Sequence, residues 1–207
     1  MKQNKSSRST VLLFLLGAAL IVAALIMLVP DLLNYKQSND TYEALKDTYV
    51  SEKPENTEVA EETGGDDSWW YTDVDVNLEE LQQVNADIIG WIRFDNLEQL
   101  SYPVLYSGDD EKYLRTDIYG NQTIAGCIFM DHGCKKDFSD PNTIIYGHNM
   151  RNLSMFGKLK QFRDQAVFDS DAYFWVYTPE KIYKYEIFSC QEVGATSETY
   201  QLQFSDK

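Results

Sequence analysis

A run of nineteen apolar residues near the N-terminus, Val11 to Val29, constrains this chain more than any other feature. It contains no charged side chain, and as a helix rising 1.5 Å per residue it would extend about 28 Å, close to the thickness of a bilayer's hydrocarbon core. The alternative, a cleaved signal peptide, normally has a shorter apolar region of about 7 to 15 residues. We therefore predict an uncleaved transmembrane anchor.

Basic residues lie mainly on the N-terminal side of this run. Three of them precede it and one follows it closely: Lys2, Lys5, Arg8 and Lys36. Because basic residues are retained on the cytoplasmic side of a membrane, we predict a cytoplasmic tail at 1–10, the anchor at 11–29 and an extracellular remainder. The residues directly after the anchor, Leu32 to Tyr49, are compatible with a continued juxtamembrane helix.

The acidity of the chain is concentrated in one segment. Residues 40–80 carry a net charge of −12, out of −15 for the whole chain. Almost no aliphatic periodicity occurs between residues 50 and 68, and like charges there favour an extended conformation. We predict an acidic extracellular stalk at 30–75 and a folded domain at 76–207, with the aromatic residues 69–71 marking the first packing against that domain.

Composition argues against several kinds of partner. Affinity for duplex nucleic acid comes largely from Lys and Arg, and this chain has 18 of them against 33 Asp and Glu. Its three cysteines form no CxxC pair and are too few for a disulfide framework or a four-cysteine zinc site. The acidic segment lacks the residue spacing of a calcium-binding loop. We therefore expect no nucleic acid partner, no metal and no organic cofactor.

Short strand-like runs dominate the predicted domain. Asn77 followed by Glu80 predicts the N-cap of a short helix. Six runs with strand-like patterning follow: Ile88–Phe94, Tyr102–Tyr106, Gly126–Met130, Thr143–His148, Tyr173–Tyr177 and Ile182–Ser189. Two helical patches interrupt them, near Asp110–Leu114 and Met155–Phe162. Many short strands, few helices and no βαβ rhythm predict a mainly β fold of the mixed or antiparallel barrel type.

The chain has two histidines, His132 and His148, so any imidazole chemistry uses one of them. His148 closes the run NTIIYGHNM, where a glycine lets the backbone turn and leaves the ring at a strand end beside open loops. An imidazole there could activate a cysteine thiol and later protonate a leaving amine. From the residues alone, a structural hydrogen-bonding role for His148 stays open as the alternative.

The three cysteines differ in their sequence surroundings. Cys127 and Cys190 lie in apolar strand-like runs and are expected to be small buried hydrophobes. Cys134 is followed by two lysines, so we expect it to be more exposed, with a pKa lowered by the neighbouring cations. An unrelated thiol hydrolase that pairs Cys134 with either histidine is a weaker functional alternative.

Four segments in order resemble the class B sortases, the membrane-anchored cysteine transpeptidases of Gram-positive bacteria. They are NADIIGWIRFDN, SYPVLYSGDDEKYL, GCIFMDHG and NTIIYGHNMRNLSMFGKLKQF, and the resemblance extends over about Leu78 to Phe188. It implies a sortase-type β-barrel in which the histidine of the YGHNM element, His148, is catalytic. The implied reaction is cleavage of a C-terminal sorting motif in a secreted protein and transfer of the acyl group to a cell-wall precursor or pilin amine.

Two elements of the family pattern are not found in residues 1–207. The family's cysteine lies in a TLSTC-like strand end followed by an arginine on the next strand, and neither occurs before the final QLQFSDK. We therefore expect a C-terminally truncated domain that is inactive by itself, with a noncatalytic surface binding or scaffold protein as the alternative. The resemblance would place the loop at 193–204 beside the substrate groove, with Tyr200 as the candidate substrate-binding side chain and ordinary packing as its alternative role.

Overall fold

The computed structural model describes residues 5–52, 74–97 and 99–202. Within these ranges the chain forms one long N-terminal helix, two short strands that pair with each other, and a six-stranded sheet with short helices around it. Residues 53–73 of the predicted acidic stalk lie outside the described residues, as do the aromatic residues 69–71 that we expected to mark the domain boundary.

Helix α1 (Lys5–Tyr49) joins the apolar run to the domain in 45 residues and continues through Pro30. By length and composition its apolar part could cross a membrane. The described side chains of that part are exposed, whereas Tyr42 and Leu45 near the C-terminal end are buried in the core of the domain. The juxtamembrane helix predicted at 32–49 is therefore present, and its last turns pack against the sheet.

The short strands β1 (Val50–Glu52) and β2 (Val74–Val76) pair antiparallel, with Val50 opposite Val76 and Glu52 opposite Val74. Neighbouring strands lie about 4.8 Å apart. Residues 52 and 74, which face each other across this pair, are therefore close together in space. Residues 30–52 of the predicted stalk are therefore helix and strand in the structure.

Helix α2 (Leu78–Val84) follows the predicted start signal. The Asn77 side chain accepts a hydrogen bond from the Glu80 backbone N–H at 3.1 Å, which confirms the N-cap. Leu78 and Leu81 are the buried residues of the helix, and they turn its apolar face toward the core.

The main sheet has the strand order β6-β5-β4-β3-β7-β8. Its strands are β3 (Ile88–Phe94), β4 (Ser101–Leu105), β5 (Ile128–Met130), β6 (Ile145–Tyr146), β7 (Tyr173–Tyr177) and β8 (Ile182–Glu186). The pair β4/β5 is parallel and the other neighbours are antiparallel. The short helices are α3 (Gln165–Ser170) and three 3-10 segments, Lys112–Leu114, Phe156–Arg163 and Glu198–Tyr200. A mixed, mainly β architecture is therefore confirmed.

The central strand β3 explains why the sheet has a core. Its sequence IIGWIRF is nearly continuous in apolar residues, and all of its side chains except that of Arg93 are in buried positions. Trp91 is fully buried, and its indole N–H donates to Ser101 Oγ at 2.9 Å, so its polar atom is satisfied. A Cβ at Gly90 would lie 2.6 Å from the Tyr177 carbonyl oxygen, which requires glycine where β3 meets β7.

We predict that Leu45→Ala destabilises the domain by about 2–5 kcal/mol, because a leucine only 2% exposed is replaced by a cavity at the contact between α1 and the sheet. Denaturant unfolding in detergent, followed by tryptophan fluorescence, measures this loss. Leu33→Ala is the matched control, since Leu33 is 61% exposed on the same helix. Equal losses for both variants would contradict the packing of α1 against the domain.

Candidate active site around His148

The backbone of His148 is held close to the sheet just beyond β6. A Cβ at Gly147 would lie 2.7 Å from Phe156 Cδ2 and would also collide with the Ile128 side chain, so only glycine fits there. The His148 carbonyl oxygen accepts hydrogen bonds from the backbone N–H groups of Met150 and Phe156, each at 3.1 Å. His148 therefore lies two residues beyond the end of β6, where these two hydrogen bonds fix its backbone.

The His148 ring is oriented by a backbone carbonyl. Its Nε2 lies 2.8 Å from the oxygen of Leu114, the last residue of the 3-10 segment Lys112–Leu114. A carbonyl oxygen only accepts hydrogen bonds, so Nε2 carries a proton, and in the neutral ring Nδ1 is then the unprotonated nitrogen. The ring is partly exposed. This arrangement leaves Nδ1 able to take up a proton and return it.

Tyr146, two residues before His148, is anchored to a buried carboxylate. Its hydroxyl donates to Asp131 Oδ2 at 2.7 Å, and the other oxygen of Asp131 accepts the Gly133 N–H at 2.8 Å. The Tyr146 ring packs on Phe129 of β5 with ring centroids 5.3 Å apart. Burial, followed by the hydrogen bond to Asp131, raises the pKa of Tyr146 and keeps its hydroxyl protonated as the donor.

The second histidine, His132, forms a two-point contact with Asp110. Its backbone N–H donates to Asp110 Oδ1 at 2.8 Å, and its ring Nδ1 lies 2.6 Å from Asp110 Oδ2. The hydrogen bond to Asp110 and the charge of that carboxylate raise the pKa of His132 above its usual value. The contact therefore favours the protonated ring, and it ties the loop after β4 to the end of β5.

Within the described ranges, Asp110, Asp131 and His132 form a cluster that could hold a metal ion, with ligand atoms within 4.8 Å of one another. Each carboxylate oxygen already has a protein donor: His132 supplies two, and Gly133 and Tyr146 supply one each. The ion pair and the hydrogen bonds account for the cluster as it stands.

The prediction of an exposed, low-pKa Cys134 is wrong. The residue is only 5% exposed, and burial raises the pKa of its thiol. The neighbouring cations turn elsewhere, with Lys135 Nζ 3.4 Å from Asp140 Oδ1 and Lys136 Nζ 4.8 Å from the centre of the Tyr106 ring. Cys134 therefore lacks the electropositive, accessible environment that produces a thiolate.

The other two cysteines occupy different surroundings. Cys127 is buried as predicted, and burial raises its pKa to about 12. Cys190 is only partly buried, because β8 ends at Glu186 and the predicted strand does not reach it. Its thiol lies 3.6 Å from the Leu159 carbonyl oxygen.

The structure brings Tyr200 near the strand that leads to His148. Tyr200 ends the 3-10 segment Glu198–Tyr200 and is 42% exposed. The carbonyl oxygens of its two neighbours, Thr199 and Gln201, accept hydrogen bonds from Asn142, which lies three residues before β6. Sequence reasoning missed Leu114, Asp131 and Tyr146. Leu114 acts through its backbone carbonyl, which every residue carries, and Asp131 and Tyr146 act through a contact between two separate segments.

Comparison with known proteins places this fold in a family. No protein-family model matches the chain. Sortase B of Listeria monocytogenes is 35% identical over 126 residues, which cover 61% of this chain and 50% of that protein. Sortase B of Staphylococcus aureus is 34% identical over 92 residues, which cover 44% of this chain and 37% of that protein. The chain thus spans half or less of the length of these curated relatives.

Solved structures of sortase B are also similar to this chain. The crystallised sortase B from Listeria monocytogenes is 32% identical with a TM-score of 0.57, over 62% of this chain and 73% of that one. Sortase B from Bacillus anthracis in complex with AAEK1 is 27% identical with a TM-score of 0.59, over 81% and 76%. A Staphylococcus aureus sortase B–substrate complex is 27% identical with a TM-score of 0.59, over 62% and 59%. The chain belongs to the class B sortases, which confirms the resemblance and the sortase-type fold.

The His132–Asp110 contact gives a pH-dependent prediction. Because the pKa of His132 is raised in the folded protein, its contribution to stability is complete below its unfolded pKa of about 6.5 and is lost as the pH rises through the folded value. We expect the melting temperature of His132→Gln to lie below that of the unmodified chain at about pH 6 and to approach it at about pH 9.

Asp110→Asn is the matched variant from the other side of the contact and should show the same pH dependence. A difference in melting temperature that stays constant across this pH range, for either variant, would contradict the assignment of a charged His132 paired with Asp110.

Proposed function

We propose that this chain carries the histidine-bearing part of a sortase-type cysteine transpeptidase. The reaction is cleavage of a C-terminal sorting motif in a secreted protein and transfer of the acyl group to an amine of a cell-wall precursor or pilin-like partner. The observation that carries the proposal is the geometry of His148, which combines a fixed Nε2–H, a free Nδ1 and a position at a strand end in a class B sortase fold.

In the proposed reaction, His148 Nδ1 accepts the proton of a cysteine thiol, and the resulting thiolate attacks the scissile carbonyl carbon. The C–N bond then breaks, and the imidazolium donates its proton to the departing amine, which leaves a thioester between enzyme and substrate. In the second half the incoming amine attacks that thioester and loses a proton to His148. The new amide forms, and the cysteine leaves as the thiolate and recovers its proton.

The cysteines of residues 1–207 do not suit the role of nucleophile. Cys127 and Cys134 are buried with raised pKa values, and Cys190 lies beyond β8 against the Leu159 carbonyl. We therefore place the reactive thiol, and the cation that stabilises the oxyanion, in a part of the protein outside residues 1–207. On this proposal the 207 residues alone bind substrate without turning it over.

Membrane attachment is part of the proposal. The apolar part of α1 would anchor the protein, with residues 1–10 in the cytoplasm and the domain on the outer face of the membrane, where secreted substrates pass. Tyr200 would contribute to the wall of the substrate groove, supported by its partial exposure and by the hydrogen bonds that join its two neighbours to Asn142, three residues before β6.

The same cysteine environments favour a second candidate function. A chain with a sortase-like shell and no activated thiol could act as a surface binding or scaffold protein for sorting signals or pilins. It would bind such peptides without cleaving them, whereas the transpeptidase cleaves them once its nucleophile is present.

We predict that His148→Ala lowers cleavage of a fluorogenic sorting peptide by roughly 10²- to 10⁴-fold, the usual contribution of a general acid–base group. The assay uses the protein expressed from the complete reading frame of its gene. His132→Gln is the matched control and should keep the rate within a few-fold, since His132 is committed to Asp110. Unchanged cleavage in His148→Ala would remove His148 from its role, and peptide binding without cleavage by the unmodified protein would favour the scaffold function.

A further inference from the structure

The Asn142 side chain forms hydrogen bonds to the backbone on both sides of Tyr200. The Asn142 amide nitrogen donates to the carbonyl oxygen of Thr199 at 3.0 Å and to that of Gln201 at 2.9 Å. A primary amide nitrogen has two N–H donors, so both are used. The two acceptors flank Tyr200 on either side, and the conformation of its backbone is therefore set by Asn142.

The segment 199–202 has a second attachment point. Leu202 packs against the core, and a Cβ at Gly133 would lie 2.6 Å from Leu202 Cδ1, so Leu202 rests directly on the turn that follows β5. Asn142 and Gly133 thus hold the same segment from two neighbouring loops, with Tyr200 between the two contacts.

The backbone around Asn142 contacts the buried thiol of Cys134. The Ile144 backbone N–H donates to Cys134 Sγ at 3.4 Å, and the same sulfur lies 3.9 Å from the Asn142 carbonyl oxygen. Beyond Ile144 the chain enters β6 and reaches His148 four residues later. The buried Cys134 therefore fixes the residues that enter β6, and Asn142 connects that strand to the Tyr200 segment.

We propose that Asn142 is a positioning residue for substrate recognition, because its amide holds Tyr200 beside the strand that carries His148. The inference rests on the proposed function, since it takes Tyr200 to contact the sorting peptide. Asn142 acts through Tyr200 and not on the reacting atoms. Its loss should therefore weaken binding of the peptide and leave the chemical step intact.

Asn142→Asp is the sharpest variant, since it keeps the size of the side chain and replaces both N–H donors with an acceptor that faces two carbonyl oxygens. In the 207-residue chain, we expect backbone hydrogen exchange in residues 197–202 to accelerate at least about tenfold, with exchange in β3 and β7 unchanged. Gln191→Glu adds the same charge at an exposed position without touching Thr199 or Gln201, and it should leave exchange unaltered.

Kinetics of the protein from the complete reading frame give the functional readout. We expect Asn142→Asp to raise KM for the sorting peptide roughly 5- to 50-fold, with kcat within about twofold, as for the loss of two hydrogen bonds. Tyr200→Ala should raise KM similarly, and adding Asn142→Asp to it should have little further effect, because the two residues act as one unit.

Each result has a distinct meaning. Unchanged exchange at 197–202 in Asn142→Asp would overturn the positioning role whatever the enzyme does. Accelerated exchange with an unchanged KM, or full additivity with Tyr200→Ala, would overturn the claim that Asn142 acts on substrate through Tyr200. Failure of the proposed function would appear instead as cleavage that survives His148→Ala, an outcome independent of both measurements.

Discussion

The buried carboxylate of Asp131 connects the segments on which the candidate site depends. The backbone N–H of Asp131 extends the β5/β6 ladder by donating to the Ile144 carbonyl at 3.0 Å. Its two carboxylate oxygens accept hydrogen bonds from Tyr146 and Gly133. A buried carboxylate is tolerated when its oxygens are hydrogen-bonded, and here each has a donor. The two-residue strand β6 gains from this contact a fixed position that its short ladder would not supply alone. His148 is reached two residues later.

A second dependence runs through helix α1. The Tyr42 hydroxyl donates to the Gly126 carbonyl at 2.7 Å, and its ring meets Tyr102 of β4 edge-on with centroids 5.2 Å apart. Gly126 adopts a positive φ of 58°, and a Cβ there would lie 2.7 Å from the Leu114 carbonyl oxygen. That carbonyl is also the partner of His148 Nε2. Helix α1, whose apolar part could cross a membrane, is therefore packed on the same loops that orient the imidazole.

Sequence periodicity was sufficient to predict most of the strands but not how the segments between them pack. β3 and β7 have the predicted bounds because their patterns end at clear turn residues. β6 and β8 are shorter than predicted, since apolar content continues past the last ladder hydrogen bond and does not report pairing. In the predicted stalk the charges of 40–80 favour extension, whereas Tyr42 and Leu45 pack the helical part of that region into the core.

The residues of the candidate site show the same difference between features of the local sequence and contacts between distant segments. His148 was a candidate from the sequence because its residue type and its place near a strand end are local features, and because the family resemblance assigns a role to the histidine of the YGHNM element. Asn142, Leu114 and Asp131 could not be found in this way, since their roles come from contacts with segments 15 to 59 residues away in the chain. Cys134 was misread for a related reason. Adjacent lysines predict a local positive charge, but the fold directs both lysines to other partners and buries the thiol.

The two histidines show how a hydrogen-bond partner determines the chemistry of an imidazole. His132 faces a carboxylate, whose negative charge favours the protonated ring and raises its pKa, so the group is suited to a lasting ion pair. His148 faces the neutral carbonyl of Leu114, which fixes the position of one proton without adding a negative charge. Its other nitrogen stays open to a reacting group. An imidazole that must alternate between base and acid within one catalytic cycle needs the second arrangement, and for that reason we propose the acid–base role for His148.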